Sequence, residues 1–455
     1  MTIKKEIKKS VWLITDKNNL PIKSTEYRKL INDKSFPNNF ICEFEGKILV
    51  FLNFIKDFTK TEFNHNLIWV GTKLYKFCND ETYEIVNPEI LSVPHNIYLG
   101  WSLGHYNFEN FKSSAKKEKK NKLLNIKKDQ IIDAECIKIV RDLINSPANV
   151  MGPNELNISA KQIFSKYVNE NIVIEGKKLK KNFPLIYSVG RGAENDRKPI
   201  FSEFIWKPKT KKTKKNITLI GKGVCFDTGG LNLKLGSGMN LMKKDMGGAA
   251  NCIGLSRMLI EKKIEINLRL LLPIVENSLS GKAFRPSDII KSRRGTFVEI
   301  GDTDAEGRLI LADALSYASE KNTDLIIDMA TLTGASRVAL GTDVPSFFSN
   351  QKVISKKLIE FSEITGDPLW ELPLWKNYES QLESYHADIK NVGNSGFGGA
   401  ITAALFLQKF VTNDIPWIHI DLMAWNLNSK ISSYYGGEAM GIRALFKLIE
   451  FLSKN

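Results

Sequence analysis

The stretch Ile217-Thr218-Leu219-Ile220-Gly221-Lys222-Gly223-Val224-Cys225-Phe226-Asp227-Thr228-Gly229-Gly230 decides how the fold is read. Its first part is a short β-rich apolar run bounded by glycines, the pattern of a buried strand in an α/β sheet. Lys222 and Asp227 therefore sit inside, or at the end of, a strand that ought to be apolar. Downstream come Lys234 and then Met242-Lys243-Lys244-Asp245-Met246-Gly247-Gly248-Ala249-Ala250, which places Asp245 just before a helical pattern over Cys252 to Ile260. Further on, Gly301-Asp302-Thr303-Asp304-Ala305-Glu306-Gly307-Arg308-Leu309 sets Asp304, Glu306 and Arg308 on the turn that opens another helix. An acidic first turn favoured by free N–H groups is the plain reading of that triplet. A buried Lys222–Asp227 ion pair is the plain reading of the first stretch, and it leaves the other carboxylates unexplained. Charges in such places are costly unless they pair or bind a metal.

Four carboxylates and one lysine converging from strand ends and helix starts suit a pair of divalent cations, which accept oxygen ligands. Two such ions carry four positive charges, and Asp227, Asp245, Asp304 and Glu306 carry four negative ones. Lys222 as a ligand would be a neutral amine, a state that burial and adjacent cations favour. Sites with two metals roughly 3.5–4 Å apart serve hydrolysis at phosphoryl and peptide centres. A two-metal phosphoesterase thus stays open on carboxylate chemistry alone, although it gives a neutral lysine no natural role. The chain has no Gly-x-x-x-x-Gly-Lys-Ser/Thr, no Gly-x-Ser-x-Gly and no His-Glu-x-x-His, and Gly221-Lys222-Gly223 lacks the third glycine of a dinucleotide loop.

The segments Gly221 to Gly230, Lys244-Asp245-Met246-Gly247-Gly248-Ala249 and Thr303-Asp304-Ala305-Glu306-Gly307-Arg308-Leu309 closely resemble the signatures of the leucyl (cytosol) aminopeptidase family. Similarity also runs through Arg141 to Asn149, Glu276-Asn277, Arg285-Pro286-Ser287-Asp288 and Ala330-Thr331-Leu332-Thr333-Gly334-Ala335, covering most of the chain from residue 130. One departure is Asp302, where the family usually has Asn.

The resemblance implies a metal site of Lys222, Asp227, Asp245 and Glu306 and a more exchangeable one of Asp227, Asp304 and Glu306, with manganese or zinc as the two ions. It implies catalytic roles for Lys234, which would polarise the scissile carbonyl, and Arg308, which would hold a bicarbonate ion as general base. It assigns substrate binding to backbone groups of Thr331, Leu332 and Gly334, and a pocket for the first side chain partly to Met242 and Thr331. It further implies a leucine-like preference, short peptides with a free N-terminus as substrates, and a homohexamer whose variable N-terminal domain contributes to assembly. Some hexameric members bind DNA, so a DNA-binding accessory protein is the second function class.

At 455 residues, with apolar residues making up 43%, the chain is long for one domain. A smaller N-terminal α/β domain over 1–128 is expected before a larger catalytic α/β domain over 129–455. The catalytic domain should hold a mainly parallel sheet flanked by helices, because strand patterns at Leu185–Val189, Ile217–Phe226, Leu268–Val275, Leu325–Met329 and Trp417–Leu422 alternate with helical ones. The lysine-dense stretch Lys112 to Lys122 reads as a solvated linker. His65, His95, His105 and His419 share no ligand spacing and read as structural. No apolar leader follows the first residues and no run approaches ~18 uninterrupted apolar residues. Five scattered cysteines suggest no disulfide framework. A cytoplasmic protein without a membrane partner is the expectation. The net charge of +15 could serve nucleic acid, but its lysine runs lack aromatic interleaving, so solvated loops are the preferred reading.

Overall fold

The computed structural model describes residues 8–15, 40–52, 58–91, 93–114, 119–209, 215–412, 414–427 and 435–454. Parts of the basic runs, at 116–118 and 210–214, fall outside them. The chain divides into one unit of residues up to Lys138 with Glu363–Asp367, and another of Ile139–Ser362, Pro368–Asn428 and Tyr435–Asn455.

In the first unit, strands β1 (Lys8–Ile14), β2 (Ile41–Phe44), β3 (Lys47–Phe51), β4 (Thr82–Ile85) and β5 (Lys122–Leu123) form a sheet of order β2-β3-β1-β4-β5. Only β2 runs antiparallel to its neighbour. Val11, Leu13, Ile48 and Val50 face helices α1 (Lys60–Phe77) and α2 (His95–Gly104) through a core containing Leu67 and Trp101. Thr59 and Glu62 form a reciprocal cap that starts α1. The stretch expected as a linker ends in β5, and Lys119 Nζ donates to the carbonyls of Lys76 (2.7 Å) and Cys78 (2.9 Å). His65 meets the Gly366 carbonyl, His95 the Asp133 carboxylate and His105 the Tyr75 ring, all structural partners.

Helix α3 (Lys128–Asn145) contains the division between the units. The second unit holds β6 (Glu170–Glu175), β7 (Ile200–Trp206), β8 (Lys215–Gly221), β9 (Gly223–Asp227), β10 (Ile266–Asn277), β11 (Ile289–Lys291) and β12 (Phe297–Glu299). It continues with β13 (Leu325–Ala330), β14 (Ser346–Ser349), β15 (Trp370–Glu371), β16 (Ile389–Lys390) and β17 (Trp417–Asp421). The main sheet has the order β15-β14-β17-β13-β8-β10-β7-β6, with β9 paired to the end of β10. Its centre, β17-β13-β8-β10, is parallel, while β14, β7 and β6 run antiparallel to their inner neighbours. Strands β11, β12 and β16 make a small separate sheet.

The helices of this unit used below are α4 (Pro184–Gly190), α5 (Gly247–Glu261), α6 (Gly307–Ser319), α7 (Gly334–Leu340), α8 (Gly399–Gln408) and α9 (Ile442–Lys454). Gly221 abuts Ala249 of α5, whereas its neighbour Ile220 shares a core with Leu309 and Leu311 of α6. Alternation along a strand therefore puts α5 and α6 on opposite faces of the sheet. Two expectations are corrected. Leu185–Val189 is the helix α4, opened by Pro184 in its first turn, and not a strand. Ile217–Phe226 is two strands broken at Lys222. None of the five cysteines is in a disulfide. Among the described residues no helix is long and apolar enough to cross a membrane.

Candidate active site

The break at Lys222 is what builds the site. Its N–H donates to Met329 O of β13 (3.0 Å), and its carbonyl accepts from Ala249 N of α5 (2.9 Å). Held between strand and helix, the buried side chain runs into a carboxylate cluster. Nζ lies 3.0 and 2.9 Å from the two oxygens of Asp245, 3.0 Å from Glu306 Oε1 and 2.8 Å from Thr331 O. A Cβ at Gly307 would lie 2.6 Å from Lys222 Cε, so α6 opens with the one residue that lets the lysine pass.

Asp227 ends β9, and its Oδ1 accepts from Gly229 N (2.9 Å) and Asn277 Nδ2 (2.8 Å). Gly229 and Gly230, at φ +87° and +65°, turn the chain so that Lys234 N reaches Thr228 O (2.9 Å). Lys234 Nζ then bridges Asp227 Oδ2 (2.7 Å) and Asp304 Oδ1 (2.5 Å). Asp227, Asp245 and Glu306 each offer an oxygen within 4.8 Å of one another, while Asp304 joins them through Lys234. These groups hang from the carboxyl ends of β8, β9 and β13 and the starts of α5 and α6, where open α/β sheets place their sites.

Burial, and then the neighbouring Asp227, push Glu306 up to about 8 and Asp304 up to about 6. Burial disfavours the Lys222 ammonium, but Asp245, Glu306 and Asp227 outweigh it and hold the group well above the usual lysine range. The neutral amine expected at Lys222 thus requires divalent cations to replace it as counter-charge. The donor set fits such ions. Four carboxylates face two ammonium groups, and among the described residues the buried Asn277 Oδ1 accepts no hydrogen bond while Asp245 Oδ2 has only the Lys222 ammonium beside it.

The remaining residues singled out in the sequence line the same region. Arg308, buried in the first turn of α6, donates Nη1 to Asn391 O (2.8 Å), and its Nε has no partner among the described residues. Thr331 follows β13 and donates Oγ1 to Asp245 Oδ1 (2.7 Å). The Leu332 N–H is taken by Asp421 Oδ1 (2.9 Å), and the Thr331 carbonyl by Lys222 (2.8 Å). Gly334 opens α7 and is exposed; Met242 is buried at the start of the 3-10 turn Met242–Met246. Asp302 accepts the Asp304 N–H at 2.8 Å, a bond that Asn makes equally well, which explains why the departure is tolerated.

Sequence reasoning gave no role to several positioning residues. Asn277 holds Asp227 and the Thr303 carbonyl (3.1 Å), Asp421 holds the Leu332–Thr333 turn, and Asn391 ties Gly301 N (2.7 Å) to Asp302 O (2.7 Å). His419 is wholly buried on Asp328 (2.6 Å) and joins no ligand cluster among the described residues.

A model of the catalytic domain of the cytosol aminopeptidase family matches residues 138–446. The probable cytosol aminopeptidase of Sulfurihydrogenibium sp. (strain YO3AOP1) is 39% identical over 82% of this chain and 74% of its own length. That of Aquifex aeolicus (strain VF5) is 38% identical over 78% and 74%. The crystal structure of cytosol aminopeptidase from Coxiella burnetii superposes with a TM-score of 0.88 at 36% identity, over 100% of this chain and 99% of that one. The bottromycin maturation enzyme BotP in complex with Mn gives 0.86 at 26% identity, over 98% and 99%. A family model spanning most of the chain, and relatives this similar over most of its length, make the assignment: the chain belongs to the cytosol aminopeptidase family, whose members are peptide hydrolases.

Proposed function

We propose that the chain removes leucine-like N-terminal residues from short peptides, using two divalent cations held by Lys222, Asp227, Asp245, Asp304 and Glu306. The observation that carries this reading is the convergence of Asp227, Asp245 and Glu306 on Lys222 and Lys234. Manganese or zinc suits the ligand set, and the manganese of the bottromycin enzyme supports the former. When bound, the ions act as Lewis acids and activate water at neutral pH.

The chain's own groups do the rest. Lys222, Asp227, Asp245, Asp304 and Glu306 would hold the ions. Lys234, whose ammonium bridges Asp227 and Asp304, would face the scissile carbonyl oxygen and stabilise the charge that develops there. Arg308, with a buried Nε that has no partner among the described residues, would hold bicarbonate as a planar anion and general base. The Leu332 carbonyl and Gly334 orient the peptide, and Met242 with the Thr331 methyl lines the pocket for its first side chain. Residues 1–128 contribute to a cytoplasmic homohexamer, and residues 129–455 carry the chemistry.

Hydrolysis of leucine p-nitroanilide tests this reading, measured after chelation, after return of manganese or zinc, and in Asp304→Asn. Activity should vanish on chelation, return with metal, stay at least a hundredfold down in the variant, and be weak on N-acetylated peptides. Equal cleavage of blocked and free substrates would sink the mechanism.

A further inference from the structure

Helix α4 ends at Gly190-Arg191, and the loop that follows β10 packs against that end. The two segments meet at Gly192, where a Cβ would lie 2.7 Å from Ser278 O and 3.2 Å from Ala283 Cα. Between them opens a cleft of about 360 Å³ lined by Tyr187, Arg191, Gly281, Lys282, Ala283 and Arg285. Three of these side chains are cations, and none belongs to the site described above. The carboxylate that pairs with them is Asp288. Its Oδ1 accepts Arg285 Nε (3.1 Å) and Nη2 (3.0 Å), and its Oδ2 accepts Arg285 N (3.1 Å) and Arg191 Nη2 (3.2 Å). A further cation, Lys180, stands with Nζ 5.7 Å from the centre of the Tyr187 ring.

An ionised carboxylate offers about four acceptor sites, so Asp288 is fully occupied. Donors remain over. Among the described residues the buried Arg191 Nε has no partner, and neither the Lys282 ammonium nor the Tyr187 hydroxyl makes a hydrogen bond. Three cations against one carboxylate leave the cleft with two positive charges in excess. A carboxylate ligand would bring one charge and two oxygens. A phosphate brings about −1.5 to −2 and three strong acceptor oxygens, and guanidinium forks match its geometry. The volume is at the small end of the ~300–1,000 Å³ of small-molecule sites, with the Tyr187 ring as one wall. We propose that this cleft binds a phosphate group, free or carried on a small ester. It does so without the metal ions and whatever peptide the enzyme cleaves.

Calorimetric titration of the metal-loaded full chain with glycerol phosphate and, separately, inorganic phosphate tests this, with acetate as the carboxylate control. At low salt at least one phosphate should bind saturably with a Kd of about 1 mM or tighter, and its affinity should fall as salt rises. The tighter of the two identifies the source. Lys282→Gln and Arg285→Gln should each weaken binding by about fivefold or more, the scale of a lost charge-assisted contact. Lys282 is exposed and pairs with no described residue, so its variant keeps the fold and decides alone should Arg285→Gln unfold. Phosphate can also reach the metal ions and Arg308, and the variants separate the two places. Binding that neither variant weakens belongs to the metal centre and overturns the proposal. No saturable binding up to about 10 mM overturns it as well, and so does acetate binding as tightly as either phosphate.

Discussion

At the residue scale, the path of Lys222 past Gly307 ties metal binding to stability. In Gly307→Ala the new methyl meets only the far end of a flexible side chain, 2.6 Å from Cε and 2.7 Å from Nζ. The amine is therefore pushed off Asp245 and Glu306, and because breaking a buried ion pair costs about 3–5 kcal/mol, more than the roughly 0.5–1 kcal/mol that alanine gains as a helix former, the metal-free variant should melt several degrees lower. Its manganese affinity, read by calorimetry, should fall by about tenfold or more, as when an inner ligand is displaced. Unchanged affinity would remove Lys222 from the ligand set. The same cluster sets the pH dependence of metal uptake. Glu306 and Asp304, raised by burial to about 8 and about 6, carry protons that a metal must displace. Affinity should then weaken as pH falls from about 8 towards about 6, with proton release visible as a dependence of binding heat on buffer. The ligands were legible in the sequence because a charge where a buried strand should be apolar demands a reason. Asn277, Asp421 and Asn391 were not, because an amide or carboxylate that only hydrogen-bonds to a distant loop leaves no mark on its own neighbourhood.

At the element scale, the helical and strand periods were readable wherever an element was long. The parallel centre of the sheet followed from β8, β10, β13 and β17, each an apolar run bounded by turn residues. Leu185–Val189 misled because five aliphatic-rich residues fit a buried strand and a buried helical turn equally well. What decides for helix is tertiary. Asp313, on α6, accepts the N–H groups of Leu185 (2.8 Å) and Ile186 (3.4 Å), two of the donors that a helix start leaves without partners. Its other oxygen accepts Arg293 N at 2.8 Å. Asp313→Ala strands three N–H donors at once, two in α4 and one in the Arg293 loop, and should cost roughly 3 kcal/mol or more in urea unfolding, at 1–3 kcal/mol for each buried group left unsatisfied. A loss below ~0.5 kcal/mol would mean that α4 stands on its own packing. The break in Ile217–Phe226 was likewise invisible locally, since Lys222 leaves the strand to give its N–H to Met329, more than a hundred residues away.

At the scale of the whole molecule, the +15 charge keeps a second reading in view. The one basic run described throughout, Lys177–Lys181, lies on the short helix Gly176–Asn182, where Leu179 alone is buried and the lysines stand in solvent. Spread charge of that kind attracts phosphates without reading a sequence, because it offers no paired donors to base edges and no aromatic ladder for stacked bases. Duplex DNA should therefore bind in the range of about 1–100 µM at physiological salt, the non-specific regime, and lose affinity steeply as salt rises through counterion release. Gel shifts at 50 and 200 mM salt, on two unrelated duplexes, measure this directly. Similar, salt-labile binding to both would mark the charge as a solvated surface that leaves peptide hydrolysis as the function. Nanomolar binding to one duplex that survives 200 mM salt would need a contact surface built for DNA, and the aminopeptidase site would then be the inherited part of a DNA-binding protein.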